Sequence, residues 1–206
     1  ERDSKIYIDS RDCKSDATKS ELDLLKDFFD LSALSTTPAA GSALEGHALL
    51  NSHVRGAKDL EFFLCSNVSP KAYTTWNSIG GGTNEPCFAG TLHGDGYTIS
   101  GLSSSLFGKL CGNVYNLGVT GSFTGAGVAD SGEGYVENCW INTTGTPATG
   151  VKAVFNGGDG SQMDDDRKLL VNCYYPESNA YTAGMATPMT ETQFYNGTVA
   201  YNLNGF

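Results

Sequence analysis

Short apolar segments separated by turn-forming residues make up the chain from about residue 56 to residue 180. The apolar segments are rich in Val, Ile, Leu, Phe and Tyr, whereas Gly, Asn, Ser and Thr lie between them. This pattern is typical of short β-strands joined by turns. Because no long stretch with helical periodicity interrupts it, we predict an all-β region.

Helical periodicity is confined to the two ends of the chain. Near the N-terminus, Ser20 and Asp23 have the spacing of a capping box, and four large apolar residues fall on one helical face: Leu22, Leu25, Phe28 and Phe29. We interpret this segment as an amphipathic helix that covers one end of the domain, with a partner-binding helix as the alternative. Near the C-terminus, Thr190 and Gln193 have the same capping-box spacing, and Gly197 is a predicted helix stop.

Four segments follow one pattern, in which an aliphatic residue is followed by any residue, then Asn or Gly, then Leu or Cys: Ile99–Leu102, Val114–Leu117, Val136–Cys139 and Leu170–Cys173. In the last three segments another apolar residue follows two positions later: Val119, Ile141 and Tyr175. Repeats that each form one supersecondary unit are typical of solenoids. Because the units here are short strands, the pattern predicts a parallel β-helix. An antiparallel sandwich is the structural alternative.

The Asn or Gly position of this repeat is predicted to be a corner, because both residues tolerate a left-handed backbone. Residues beside the corner should point inward and stack on their equivalents, which places Cys139 and Cys173 on or near one ladder with Leu117. The four segments begin 15, 22 and 34 residues apart. Loops of unequal length must therefore leave the coils, notably at residues 143–150 and 156–167.

A longer motif carries a resemblance to known proteins. The segment "TWNSIGGGTNEPCFAGTLHGDGYTISGL", followed by "SLFGKLCGNVYNLGVTGSF", resembles the GLUG-type repeat of large secreted or surface proteins of Bacteroidota, over roughly residues 73 to 123. The motif residues are Trp76, Ile79, Phe88, Ile99, Leu106 and Phe107. The resemblance implies a right-handed parallel β-helix at the cell surface, in an adhesin-like or spacer module, and it brings no catalytic residues.

The length of 206 residues fits one domain with three parts. Residues 1–55 are predicted to form an N-terminal segment with the amphipathic capping helix. Residues 56–185 are predicted to form the β-helix repeat region, and residues 186–206 a helical cap. Short helical caps make sense because the ends of a β-helix would otherwise leave unpaired edge groups.

The net charge of −10 argues against nucleic acid or an anionic membrane surface as partner, because the chain would repel phosphates. No apolar run approaches the roughly 18 residues that span a bilayer. No signal-peptide pattern is visible at the N-terminus, so we take the chain as a mature or excised portion.

Common catalytic motifs fit the chain poorly. Ser103 stands where the first glycine of a P-loop should be, and Leu110 follows Lys109 where Ser or Thr is needed. His93 and Asp95 lie in a glycine-rich stretch, and we interpret them as turn residues rather than as a hydrolase site. We therefore predict no catalytic residues and no cofactor.

Two sets of residues are candidates for binding. An acidic run resembles half of a calcium-binding turn, with a solvated loop as the alternative: Asp159, Asp164, Asp165 and Asp166. Trp140 and Tyr174 align with Gly118 and should face outward as neighbours, where aromatic platforms bind sugars or proteins. The alternative is that a loop or cap packs over them. Trp76 is predicted to be a core residue.

Six cysteines occur at positions 13, 65, 87, 111, 139 and 173, without a Cys-x-x-Cys motif. A zinc ribbon is therefore disfavoured, while disulfides and buried thiols both stay open. Neighbouring coils of a β-helix lie about 4.8 Å apart, so Cys139 and Cys173 could form a bond if they stack.

These features predict a non-catalytic extracellular or cell-surface module, structural or adhesin-like, that belongs to a larger surface protein or fibre. Its expected partners are other surface protein subunits or host or dietary glycans, and self-assembly is open. The alternative function is a carbohydrate-binding or polysaccharide-degrading β-helix, such as a lyase or glycosidase.

Overall fold

Parallel β-strands dominate the computed structural model, which describes residues 5–8, 20, 22–23, 26, 58, 60–70, 75–80, 87–157 and 169–204. Within these residues there are eleven strands: β1 (Lys5–Ile8), β2 (Glu61–Leu64), β3 (Thr91–His93), β4 (Thr98–Leu102), β5 (Asn113–Tyr115), β6 (Gly118–Gly121), β7 (Tyr135–Glu137), β8 (Trp140–Thr143), β9 (Leu170–Val171), β10 (Tyr174–Pro176) and β11 (Thr187–Met189). A 3-10 turn (Glu177–Asn179) follows β10, and helices α1 (Glu191–Tyr195) and α2 (Thr198–Leu203) follow β11.

The strands form two sheets, and the chain alternates between them. The first sheet has the order β1-β2-β3-β5-β7-β9, and the second has the order β11-β10-β8-β6-β4. All strand pairs in the described residues are parallel. This arrangement confirms the predicted all-β, parallel fold class and rules out the antiparallel sandwich.

Isolated parallel bridges extend the same pattern outside the two sheets. Ile79 pairs with Phe107, Phe107 with Ala129, and Ala129 with Phe155. A second row of bridges joins Phe88, Leu110 and Gly132. The segments between the sheets therefore also stack on one another in register.

The asparagine corners appear as predicted. Asn116, Asn138 and Asn172 have φ angles of 54°, 53° and 51°, which lie in the left-handed region. Each of them connects a strand of the first sheet to the next strand, in the second sheet. Leu117, Cys139 and Cys173, which follow these corners, are buried as predicted.

The predicted corner at Gly101 is wrong. It has a φ of 77°, but it lies inside β4, and Ile99 pairs with Val119 in the second sheet. The register shifts by one residue between Ile99 and Leu102, so Gly101 occupies a β-bulge. The true partner of Val114 is Leu92, 22 residues earlier, which replaces the predicted spacing of 15.

The core is a set of apolar ladders between the sheets and the bridge rows. Its large, fully buried side chains include Trp76, as predicted, and the apolar residues of the glycine-rich segment: Phe88, Leu92, Ile99, Leu102, Leu106 and Phe107. Tyr175, which occupies the same position in β10 as Ile141 does in β8, is buried as well.

The N-terminal segment contributes a strand that the sequence pattern did not predict. β1 pairs in parallel with β2 at the edge of the first sheet. The predicted capping box is present, because Asp23 N–H donates to Ser20 Oγ (3.2 Å) and Ser20 N–H donates to Asp23 Oδ2 (2.7 Å). Leu22 is buried in the core. The other predicted face residues lie outside the described part of the chain: Leu25, Phe28 and Phe29.

The C-terminal helices pack against the outer side of the second sheet. Thr190 and Gln193 form the predicted capping box at the start of α1. Gly197, with a φ of 84°, separates α1 from α2 and acts as the predicted stop. Tyr174, Met189 and Val199 form a buried cluster there, against which further apolar side chains pack: Trp140, Phe194 and Leu203.

The structure shows which of the described cysteines form a disulfide and which are free thiols. Cys87 and Cys111 form a disulfide between neighbouring stacked segments. Cys139 and Cys173 stack, with Cys139 N–H donating to Cys173 Sγ (3.4 Å), but both are free thiols. Burial, followed by the hydrogen bond with Cys173, raises the pKa of Cys139 well above its ordinary value. Cys65 is an exposed free thiol, and Cys13 lies outside the described residues.

Candidate ligand groove at Trp140

Trp140 and Tyr174 occupy equivalent positions on the outer face of the second sheet, as predicted. Gly118 pairs with Trp140, and Trp140 pairs with Tyr174. The indole of Trp140 lies against Gly118, where a Cβ atom would come within 2.7 Å of the ring carbons Cε2 and Cζ2. The absence of a side chain at Gly118 therefore makes room for the indole.

The C-terminal helices cover one of these two aromatic residues. Tyr174 is only 8% exposed, beneath α1 and α2, so the expected alternative of a cap over the aromatics holds at this position. Trp140 stays half-buried and meets Phe194 edge-on, with ring centroids 6.1 Å apart. A flat two-ring platform is therefore not presented to solvent.

Trp140 instead lines two grooves between the sheet and the cap, which also share Ala200 and Leu203 of α2. One groove, of about 370 Å³, is mainly apolar and is lined by the cap residues Phe194 and Leu203 together with Pro176. The other groove, of about 560 Å³, is mainly polar and is lined by the corner residues Asn116 and Asn138. Because the indole borders both, a ligand in either groove would contact it.

Asn116 and Asn138, which line the polar groove, belong to a ladder of hydrogen-bonded amides. Asn172 Nδ2 donates to Asn138 Oδ1 (2.6 Å), and Asn138 Nδ2 donates to Asn116 Oδ1 (3.2 Å). Asn172 Nδ2 also donates to the carbonyl of Asn202 in α2 (2.9 Å), and the hydroxyl of Tyr174 donates to Asn172 Oδ1. The ladder is thereby fixed at the cap and runs outward along the corners.

The outer end of this ladder keeps hydrogen-bonding capacity. Asn116 is exposed, and in the described part of the chain its Nδ2 group has no acceptor. Asp95 and Gly96, both exposed, line the same groove beside it. An amide donor and a carboxylate acceptor therefore face the groove that Trp140 borders.

The sequence pattern did not predict a second surface, which lies on the first sheet. Phe63, His93, Tyr115 and Tyr135 form a half-exposed aromatic column, in which the first two rings stack with centroids 4.5 Å apart and an interplanar angle of 7°. Burial and then the hydrogen bond to Glu137 raise the pKa of Tyr135 to about 12. The rings of Phe63, His93 and Tyr115 stack, so they turn their faces to one another and offer ring edges to solvent. Tyr135 is instead tilted by 56° to Tyr115.

The remaining sequence candidates have different outcomes. His93 belongs to the aromatic column, with Nε2 at 3.9 Å from Glu61, while Asp95 lies in the polar groove. The calcium candidates lie outside the described residues, so their role stays a prediction: Asp159, Asp164, Asp165 and Asp166. Over the described ranges, no group of three or more His, Cys, Asp or Glu side chains has a metal-binding arrangement.

Comparison of the chain with protein-family models, curated proteins and solved structures returns no match. Among the helices of the described segments, none has the length and apolar character needed to cross a membrane.

Proposed function

We propose that the stacked segments wind as a right-handed parallel β-helix of the GLUG type. The support is the register: Leu92, Val114 and Val136 pair in sequence at intervals of 22 residues in the first sheet. Val119 and Ile141 pair at the same interval in the second sheet. Alternation between two parallel sheets with a repeat at this interval supports the proposal, because a solenoid requires this connectivity.

The chain is, on this proposal, a non-catalytic extracellular surface module, adhesin-like or structural, within a larger surface protein or fibre. The observation that carries the proposal is the repeated use of the same residue types at the same stacked positions. Aliphatic residues fill the ladders, and asparagines form the corners. Most residues of the motif thus serve the scaffold, and the outer face is left for contacts with partners.

Carbohydrate binding is the second candidate function. It is favoured by the indole of Trp140, which borders a polar groove lined by asparagine amides. Aromatic rings beside fixed amide groups are a common way to bind sugars, because a sugar has both apolar faces and hydroxyl groups.

Incubation of the purified protein with a panel of polysaccharides tests the non-catalytic proposal. We expect no release of reducing ends and no unsaturated products over many hours. Release of either product, abolished by a single substitution on the outer face, would contradict the proposal. Electron microscopy of the same sample shows whether the protein forms fibres or stays as separate particles.

A further inference from the structure

We propose that the polar groove beside Trp140 binds a neutral saccharide, an inference that deepens the carbohydrate-binding function given above as the second candidate. Three features of the groove converge on this ligand class: an aromatic surface, a fixed row of amides and one carboxylate. The other groove that the indole borders is mainly apolar, and its polar lining comes from Asn142, Ser178 and Glu191.

The aromatic part of the site is rigid. Gly118 lets the indole of Trp140 lie close to the sheet, and Phe194 meets it from the cap. A ring held on two sides loses little side-chain entropy when a ligand packs on its free surface. Sugar rings pack well on such surfaces because their C–H groups are apolar.

The polar part of the site matches hydroxyl groups. Each hydroxyl both donates and accepts a hydrogen bond. Asn116 Nδ2 offers donors with no acceptor among the described residues, and the exposed carboxylate of Asp95 offers an acceptor. The bonds from Asn138 and Asn172 hold the amide of Asn116 in place before a ligand arrives.

The charge of the groove selects against anionic sugars. Among the described residues that line it, Asp95 is the only ionisable one, and none of them is Lys or Arg. A sialylated or sulfated sugar would bring its negative charge close to this carboxylate without a compensating cation. The saccharide is therefore neutral.

The test is a binding titration of the whole chain with neutral tetrasaccharides of glucose, mannose and galactose, and with sialylated and sulfated counterparts. We expect at least one neutral sugar to bind, and Trp140→Ala to weaken that binding by about tenfold or more. Asp95→Asn should weaken it about fivefold, because a charge-assisted hydrogen bond becomes a neutral one.

Two control variants separate the site from general stability. Tyr115→Ala removes a half-buried outward aromatic from the other sheet, and Asn142→Ala removes an exposed amide from the apolar groove. For both variants, the dissociation constant of the sugar should stay within about twofold of the wild-type value. Asp95→Asn keeps the fold, because Asn also tolerates the φ of 50° at this position.

Several outcomes would overturn the inference. They are preferential binding of anionic sugars, sugar binding that Trp140→Ala and Asp95→Asn leave unchanged, and no binding of any sugar by the folded protein. The last result would leave the surface-module proposal standing. Cleavage of a bound neutral sugar would instead contradict the non-catalytic proposal, but it would not contradict the proposed binding site.

Discussion

At the scale of single residues, the corner asparagines were predictable because backbone conformation is a local property. Asn tolerates a left-handed backbone, so its recurrence after an aliphatic residue marks Asn116, Asn138 and Asn172. Gly101 satisfies the same four-residue pattern and also has a positive φ, yet it occupies a bulge. A short pattern with Gly at its third position cannot distinguish a corner from a bulge, since both need a positive φ.

Asn138 contributes to stability in two separable ways, through its φ of 53° and through two side-chain hydrogen bonds. Asn138→Gly keeps the torsion and should lower the free energy of unfolding by about 1 kcal/mol. Asn138→Ala also introduces left-handed strain and should lower it by about 2–3 kcal/mol. Urea denaturation measures both values.

The exposed strand residue Asn142 is the matched control for this pair. Asn142→Ala should change the free energy of unfolding by less than about 0.5 kcal/mol. If Asn138→Gly and Asn138→Ala lower the free energy of unfolding equally, the left-handed torsion at this corner causes no strain in Ala.

At the scale of elements, β11 closes one edge of the second sheet. Thr187 N–H donates to the carbonyl of Cys173, which directly precedes β10 (2.8 Å). Because successive residues of a parallel strand point their N–H groups to opposite sides, residue 188 faces the outer edge. Pro188 has no N–H to offer there, and Thr190 N–H is bonded to Gln193 Oε1 in the capping box (2.9 Å). Strand addition by another chain is therefore disfavoured at this edge.

Pro188→Val restores an outward N–H on β11 and should increase concentration-dependent self-association. Analytical ultracentrifugation over a hundredfold range of protein concentration measures the effect. Thr187→Val is the control, because its N–H already points into the sheet and its side chain is exposed as well. Equal association of the two variants would show that Pro188 does not protect the edge.

At the scale of the whole molecule, long-range packing sets the limit of the sequence analysis. Alternation along each strand predicted correctly that Trp140 and Tyr174 face outward. It could not predict that α1 and α2 would cover Tyr174, because residues far apart in sequence decide what packs on an outer face. The same limit hid the aromatic column, since Tyr115 meets His93 only in the true register, with Leu92 beside Val114.

Stability should fall at alkaline pH. Burial raises the pKa of the Cys139 thiol above its ordinary 9.0, and burial and then Asp130 raise the pKa of Tyr181 above 10.0. Below pH 9 both states keep these protons, so the stabilisation is complete. As pH rises past 9 and then 10, only the unfolded chain releases them, and each group lowers stability by up to about 1.4 kcal/mol per pH unit.

Denaturation midpoints measured from pH 7 to pH 10.5 test this expectation. Cys139→Ala removes this ionisable thiol, so the free energy of unfolding of the variant should decline less steeply between pH 9 and pH 10. If the denaturation midpoints of the wild-type protein and of Cys139→Ala fall equally with pH, the Cys139 thiol does not resist ionisation in the folded state.

The disulfide between Cys87 and Cys111 has a mechanical consequence when the chain is under tension. It links two neighbouring segments across 24 residues of sequence. If a pulling force separates the stacked segments, the chain between these cysteines stays closed, which withholds on the order of 80 Å of extension. Reduced protein should therefore stretch further than oxidised protein by about this length in a single-molecule pulling experiment. The bond therefore limits how far the chain between Cys87 and Cys111 can extend.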